Sequence, residues 1–167
     1  MRHLGTLIGY TLMSLLLSTG CYSFRGISIP PEAETFYIAE LKSRAPGAPA
    51  DLGQQFSENL KQKFLNQSRL NFVEIDPDMA FSGEITRFAV TSVAPQPGEV
   101  TAFSRLEIAV RIKYEYHLDE EDNWENNFSF FTDFSRDDNL LDVQDGLIMI
   151  IFQQLAEDIF NKAFTNW

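Results

Sequence analysis

Cysteine is almost absent from this chain: Cys21 is the only one in 167 residues. A single thiol cannot close an internal disulfide. With only His3 and His117 beside it, it cannot supply a metal site with the usual ligand spacing either. Basic residues are also scarce, 13 against 24 acidic, for a formal charge of −11. That balance excludes the basic surface that nucleic acid requires and broad adhesion to an anionic membrane. No apolar run reaches the roughly 20 residues that a membrane-crossing helix needs. A phosphate-cradling glycine loop and a Gly-x-Ser-x-Gly elbow are both missing. His117 stands alone beside an acidic stretch, so no acid–base constellation converges. The chain reads as a non-enzyme, without cofactor or metal.

What is present begins at the N-terminus. Arg2 gives a positive start, an apolar run extends from Leu4 to Leu17, and the small residues Ser18, Thr19 and Gly20 lead to Cys21. This is the pattern of a secretory signal with its cleavage site. The site resembles a lipobox, with Ser18 where leucine is usual and Leu17 one place earlier. A thioether-linked lipid on Cys21 would consume a thiol that is otherwise a liability in an oxidising compartment. Each buried methylene of palmitate-like acyl chains contributes about 0.8 kcal/mol, so such an anchor is effectively permanent. The expected organisation is a signal peptide over 1–20, a lipidated extended lead over 21–33, and a single α/β sandwich domain over 34–167. Losing residues 1–20 removes Arg2, leaving 12 basic residues against 24 acidic ones, or 12 − 24 = −12.

Hydrophobic residues make up 44% of the chain and include fifteen Phe, enough for a real core. Thr35 to Leu41 reads as a first strand, then a loop with Pro46 and Pro49, then a helix capped by Asp51. Leu52, Phe56, Leu60 and Phe64 recur every four residues and form one apolar stripe. Leu70–Ile75 and Phe81–Val93 read as strands, the latter with a bulge at Gly83. Ala94-Pro-Gln-Pro-Gly98 is a second loop. In Ser104–His117 the residues Leu106, Ile108, Val110, Ile112, Tyr114 and Tyr116 alternate with polar or small ones, which gives one buried and one wet face. Asp119–Asn123 is a hairpin turn. Trp124–Phe134 returns, with Phe128, Phe130 and Phe134 on the face of Trp124. A long helix starts at Asp142, with Val143, Leu147, Ile151, Leu155, Ile159 and Ala163 as its stripe, widened by Ile148, Phe152 and Phe160. The expected fold class is α+β: two helices on one face of a mixed or antiparallel sheet of about four to five strands.

Two sets of residues stand out on this frame. Arg105, Arg111 and Lys113 share the wet face of the best strand, and Arg87 on the strand before can join them. They pair across strands with Glu107, Glu115 or a neighbour, or they form a small basic track for the phosphates of a glycolipid, where guanidinium forks suit phosphate oxygens. Tyr22, Phe24 and Trp167 sit at the termini, where core residues are less expected. They pin the termini or contact a partner.

The order of several segments resembles the LptE-like lipopolysaccharide-assembly lipoproteins, in the form found outside the enterobacteria. The resemblance is carried by Cys21-Tyr-Ser-Phe-Arg-Gly26, Ile29-Pro30, Ser82-Gly-Glu-Ile85 and Arg105-Leu-Glu-Ile-Ala-Val110. It continues through Trp124, Phe128-Ser129, Gln154-Leu-Ala-Glu-Asp-Ile-Phe-Asn161 and Asn166-Trp167. It implies a helix-on-sheet sandwich in the outer membrane's inner leaflet, filling the lumen of a β-barrel lipopolysaccharide translocon. Such a protein helps the barrel assemble and helps lipopolysaccharide reach the outer leaflet. Tyr22, in place of an aspartate retention signal, and the lack of an acidic run after Cys21 point to the periplasmic face. Two other readings stay open. One is a periplasmic lipoprotein that binds and activates a cell-wall synthase. The other is a small-ligand-binding lipoprotein. The interval from Cys21 to the first strand is about 14 residues, at most ~50 Å extended, which favours work close to the membrane.

Overall fold

A computed structural model describes residues 28–94 and 102–165. The strands are β1 (Thr35–Ile38), β2 (Lys42–Ser43), β3 (Asn71–Phe72), β4 (Met79–Val93), β5 (Phe103–Tyr116) and β6 (Trp124–Ser135). Helix α1 spans Leu52–Gln67 and helix α2 spans Leu140–Phe164. The sheet order is β3-β1-β4-β5-β6, with β2 also on β4. β1, β2 and β3 pair in parallel, whereas β4–β5 and β5–β6 are antiparallel. The fold is α+β, a mixed open sheet with both helices on one face.

Sequence periodicity explains the layers. Leu52, Phe56, Leu60 and Phe64 are fully buried, as are Leu106, Ile108, Val110 and Ile112 on the inner face of β5. Trp124, Phe128, Phe130 and Phe134 pair with Tyr114, Val110, Ile108 and Ser104, which places them on that same face. Phe56 meets Phe152, and Phe64 meets Phe160 and Phe164, so the two helices run side by side in the same direction. Ser57, buried, accepts from Leu41 N–H at 2.8 Å and donates to the Gly53 carbonyl at 2.9 Å, tying α1 to the β1–β2 connection. Gly53 permits this contact, because a Cβ there would lie 1.9 Å from the Leu41 carbonyl oxygen.

Three local expectations need correction. The bulge in β4 lies between Ile85 and Arg87, not at Gly83. Gly83 stays in register opposite Ile112, and the reason for glycine is close approach: a Cβ would meet the Arg111 carbonyl oxygen at 2.1 Å. Asp51 precedes α1 but makes no side-chain cap, its carboxylate accepting instead from Gln55 at 2.7 Å. Helix α2 starts at Leu140, two residues before Asp142, because the Asn139 side chain accepts from Leu141 N–H at 3.3 Å.

The two ends of the described chain meet at one pole. Ser28 N–H donates to the Phe164 carbonyl at 2.7 Å, which joins the start of the described chain to the end of α2. The β5–β6 hairpin, with its 3-10 turn Glu120–Asp122, lies at this same pole, where Trp124 and Glu121 share a hollow with Ser28 and Lys162. The Pro-rich stretch 94–98 falls, apart from Ala94, outside the described residues.

Candidate functional site

Among the described residues no helix covers the outer face of the sheet, and there the charged residues of β4, β5 and β6 meet. Alternation sends Arg105, Arg111 and Lys113 outward from β5. Arg87 joins them only because of the β4 bulge: without it, period two from the buried Ile85 would turn Arg87 inward. The structure therefore brings all four candidate cations onto one surface.

Each has a carboxylate partner. Arg87 Nε lies 2.9 Å from Glu107. Arg105 grips Asp133 with two parallel bonds of 2.7 and 2.9 Å, and its guanidinium lies 3.6 Å over the ring of Phe131. Arg111 reaches Glu84 at 3.3 Å and Glu125 at 3.7 Å. Lys113 bonds Glu115 at 2.7 Å. The hydrogen bonds from Arg105 hold the Asp133 carboxyl below its ordinary range, and the same bonds raise Arg105. These are surface pairs, each worth up to about 1 kcal/mol.

Sequence reasoning missed the far side of this surface. β2 places Lys42 and Arg44 alongside Glu84, and Arg44 Nε sits 3.0 Å from it. Glu84 is thus a shared acid, its side chain 21% exposed, clamped between Arg44 and Arg111. Lys42, Arg44, Glu84, Arg111, Lys113 and Glu125 border an open hollow of about 490 Å³ whose floor includes Gly83. Nothing in the local sequence announces this, because β2 is two residues long and its pairing is long-range. The hollow is zwitterionic and lacks a convergent acid–base pair. His117 is exposed, its backbone N–H donating to the Asp78 carbonyl at 2.8 Å. Asp119, Glu120, Glu121 and Asp122 form an exposed turn. Cys21, Tyr22, Phe24 and Trp167 lie outside the described residues.

Comparison with known proteins then decides the family. The LptE lipopolysaccharide-assembly family model matches residues 33–163. The chain belongs to that family. No curated protein matches the sequence. Among solved structures, a hypothetical protein from Chlamydia trachomatis has a TM-score of 0.54 at 10% identity, covering 80% of this chain and 99% of that one. A protein described as a neuraminyllactose-binding hemagglutinin homologue from Helicobacter pylori has a TM-score of 0.56 at 9% identity, covering 86% and 90%. PelC from Paraburkholderia phytofirmans, a dodecamer, has a TM-score of 0.51 at 6% identity, covering 84% and 92%. At such identities these structures are similar in fold alone. Among the described residues, no helix of this LptE-family chain is long and apolar enough to cross a membrane.

Proposed function

We propose that this protein is a non-catalytic outer-membrane lipoprotein, held on the periplasmic face by lipid on Cys21. It seats in a β-barrel lipopolysaccharide translocon, supports that barrel's assembly and assists insertion of the glycolipid. The family match over residues 33–163 carries this reading. The tie between Ser28 and Phe164 supports the placement. Ser28 lies seven positions after Cys21, about 25 Å when fully extended, so a lipid on Cys21 keeps the α2 C-terminal pole close to the bilayer. In this reading Tyr22, Phe24 and Trp167 contact the barrel, and Arg87, Arg105, Arg111 and Lys113 exchange a carboxylate for a glycolipid phosphate.

The test is co-purification in mild detergent through a C-terminal tag, after labelling cells with a fatty-acid probe. The expected result is a probe-labelled protein that brings an outer-membrane barrel with it, and Cys21→Ala loses both the label and the membrane location. Recovery of labelled protein without any barrel overturns the translocon role. An unlabelled wild-type protein overturns the anchor.

A further inference from the structure

The two edges of the sheet are built differently. On one side β3 is two residues long and is followed by the turn at Asp76-Pro77. On the other side β6 presents twelve residues whose only strand neighbour among the described residues is β5. Every second residue of such a strand points its backbone N–H and C=O away from the sheet, an open template for another strand. Proteins that must stay single blunt such an edge with proline, lysine, a bulge or an inward-pointing charge. The charges on β6 are Glu125 and Asp133, each paired with an arginine of β5. β6 contains no Pro and no Lys, its pairing with β5 runs from Trp124 to Ser135 without a register shift, and its inner-face residues are uncharged.

Helix α2 packs against β6. Phe152 faces α1 through Phe56, and Ile150 lies about 200° round the helix from it, on the flank away from α1. Ile150 is 50% exposed.

We propose that this edge pairs with β6 of a second copy of the chain, antiparallel about a twofold axis at Phe130. Self-pairing is argued from charge. In a continuous sheet the facing residues must share a face, so the two position numbers must sum to an even value. Two registers give the longest overlap, eleven residues or about 36 Å. One is centred on Ser129 and sets Glu125 against the second copy's Asp133, a like-charge clash made twice. The other is centred on Phe130 and sets Asn127 against the second copy's Asp133, Glu125 against Ser135, and Ser129 against Phe131. It has no like-charge contact, and the Asn127 amide can donate to an Asp133 already neutralised by Arg105. The same axis stacks Phe130 on its own copy. Such a seam buries on the order of 1,000 Å² in total, near the lower limit for a specific interface, so a micromolar dimer is expected.

The test is sedimentation equilibrium of the purified full chain in detergent, with two single variants at Asn127. Asn127→Asp keeps the monomer's bond to Arg111 but creates two Asp–Asp contacts across the axis. It is expected to weaken the dimer about tenfold or more with an unchanged melting temperature. Asn127→Lys supplies a cation to each Asp133 and is expected to tighten it. A Ser129→Cys chain mixed with a Phe131→Cys chain should cross-link to each other under oxidation, above the background set by Cys21 alone. A protein that is monomeric at tens of micromolar overturns the proposal, including the case where only a strand of another protein joins the edge. A dimer indifferent to both Asn127 variants, or lacking the 129–131 cross-link, overturns it equally.

Discussion

Asp78 shows how much one side chain can hold. Its carboxylate accepts from the backbone N–H of Glu34 and of Thr35, both at 2.9 Å, and from the Thr35 hydroxyl at 2.8 Å. Its own N–H donates back to that hydroxyl at 2.9 Å, so the start of β1 is laced to the turn before β4. From sequence, Asp78 reads only as part of a turn, because a partner 43 residues away leaves no local trace. The backbone bond from Glu34, followed by those from Thr35, holds its pKa below the ordinary aspartate value. A depressed folded pKa means stability that is present above the unfolded value, about 3.9, and lost as pH falls through the folded one. Asp133 and Glu157 act in the same direction, through Arg105 and Lys63 respectively. Asp78→Asn is expected to cost about 1–2 kcal/mol at neutral pH. The gap from wild type should shrink between pH 5 and pH 3 in urea titrations. A gap constant over that range would mean that Asp78 is not the titrating group.

At the scale of elements, the helix seam turns on Phe64. Its ring lies 4.8 to 5.4 Å from those of Phe36, Phe81, Phe160 and Phe164, which joins α1, β1, β4 and α2. Phe64→Ala should cost about 3–5 kcal/mol, since so many rigid rings cannot close the cavity. Leu65→Ala, one position on and facing out, should cost under about 0.5 kcal/mol. Equal losses in guanidinium unfolding would place the stripe on the wrong side of the helix. This face is legible in the sequence because leucine and phenylalanine recur every four residues, and β5 is legible because its alternation runs unbroken through the six buried residues from Leu106 to Tyr116. Other features leave no periodic signal. β2 is too short to show a pattern, and the bulge after Ile85 depends on what β5 sets opposite it. Gly83 is needed because the Arg111 carbonyl crowds it, which only the paired strands reveal. The role of Glu84 in organising the outer face leaves no local signal either, because Arg44 and Arg111 reach it from distant parts of the chain.

For the whole molecule, the outer face is a balance of charge within an acidic protein, and this decides how its role can be tested. Reversing the cations would set a new carboxylate at 105 against Asp133, at 111 against Glu84 and Glu125, and at 113 against Glu115. Stability and binding would then fall together. Neutralisation separates them. Arg105→Gln, Arg111→Gln and Lys113→Gln together give up exposed pairs worth about 0–1 kcal/mol each, so the melting temperature should fall by only a few degrees. If these groups meet glycolipid phosphates, each lost charged hydrogen bond costs roughly 1.5–3 kcal/mol. Even one such loss lowers lipopolysaccharide affinity of the detergent-solubilised chain about tenfold or more. Dephosphorylated lipopolysaccharide should bind wild type and variant alike, and Lys61→Gln on α1, away from this face, should change neither. Equal binding of phosphorylated glycolipid by wild type and triple variant, with the fold intact, would leave these cations as partners of their own surface carboxylates and nothing more.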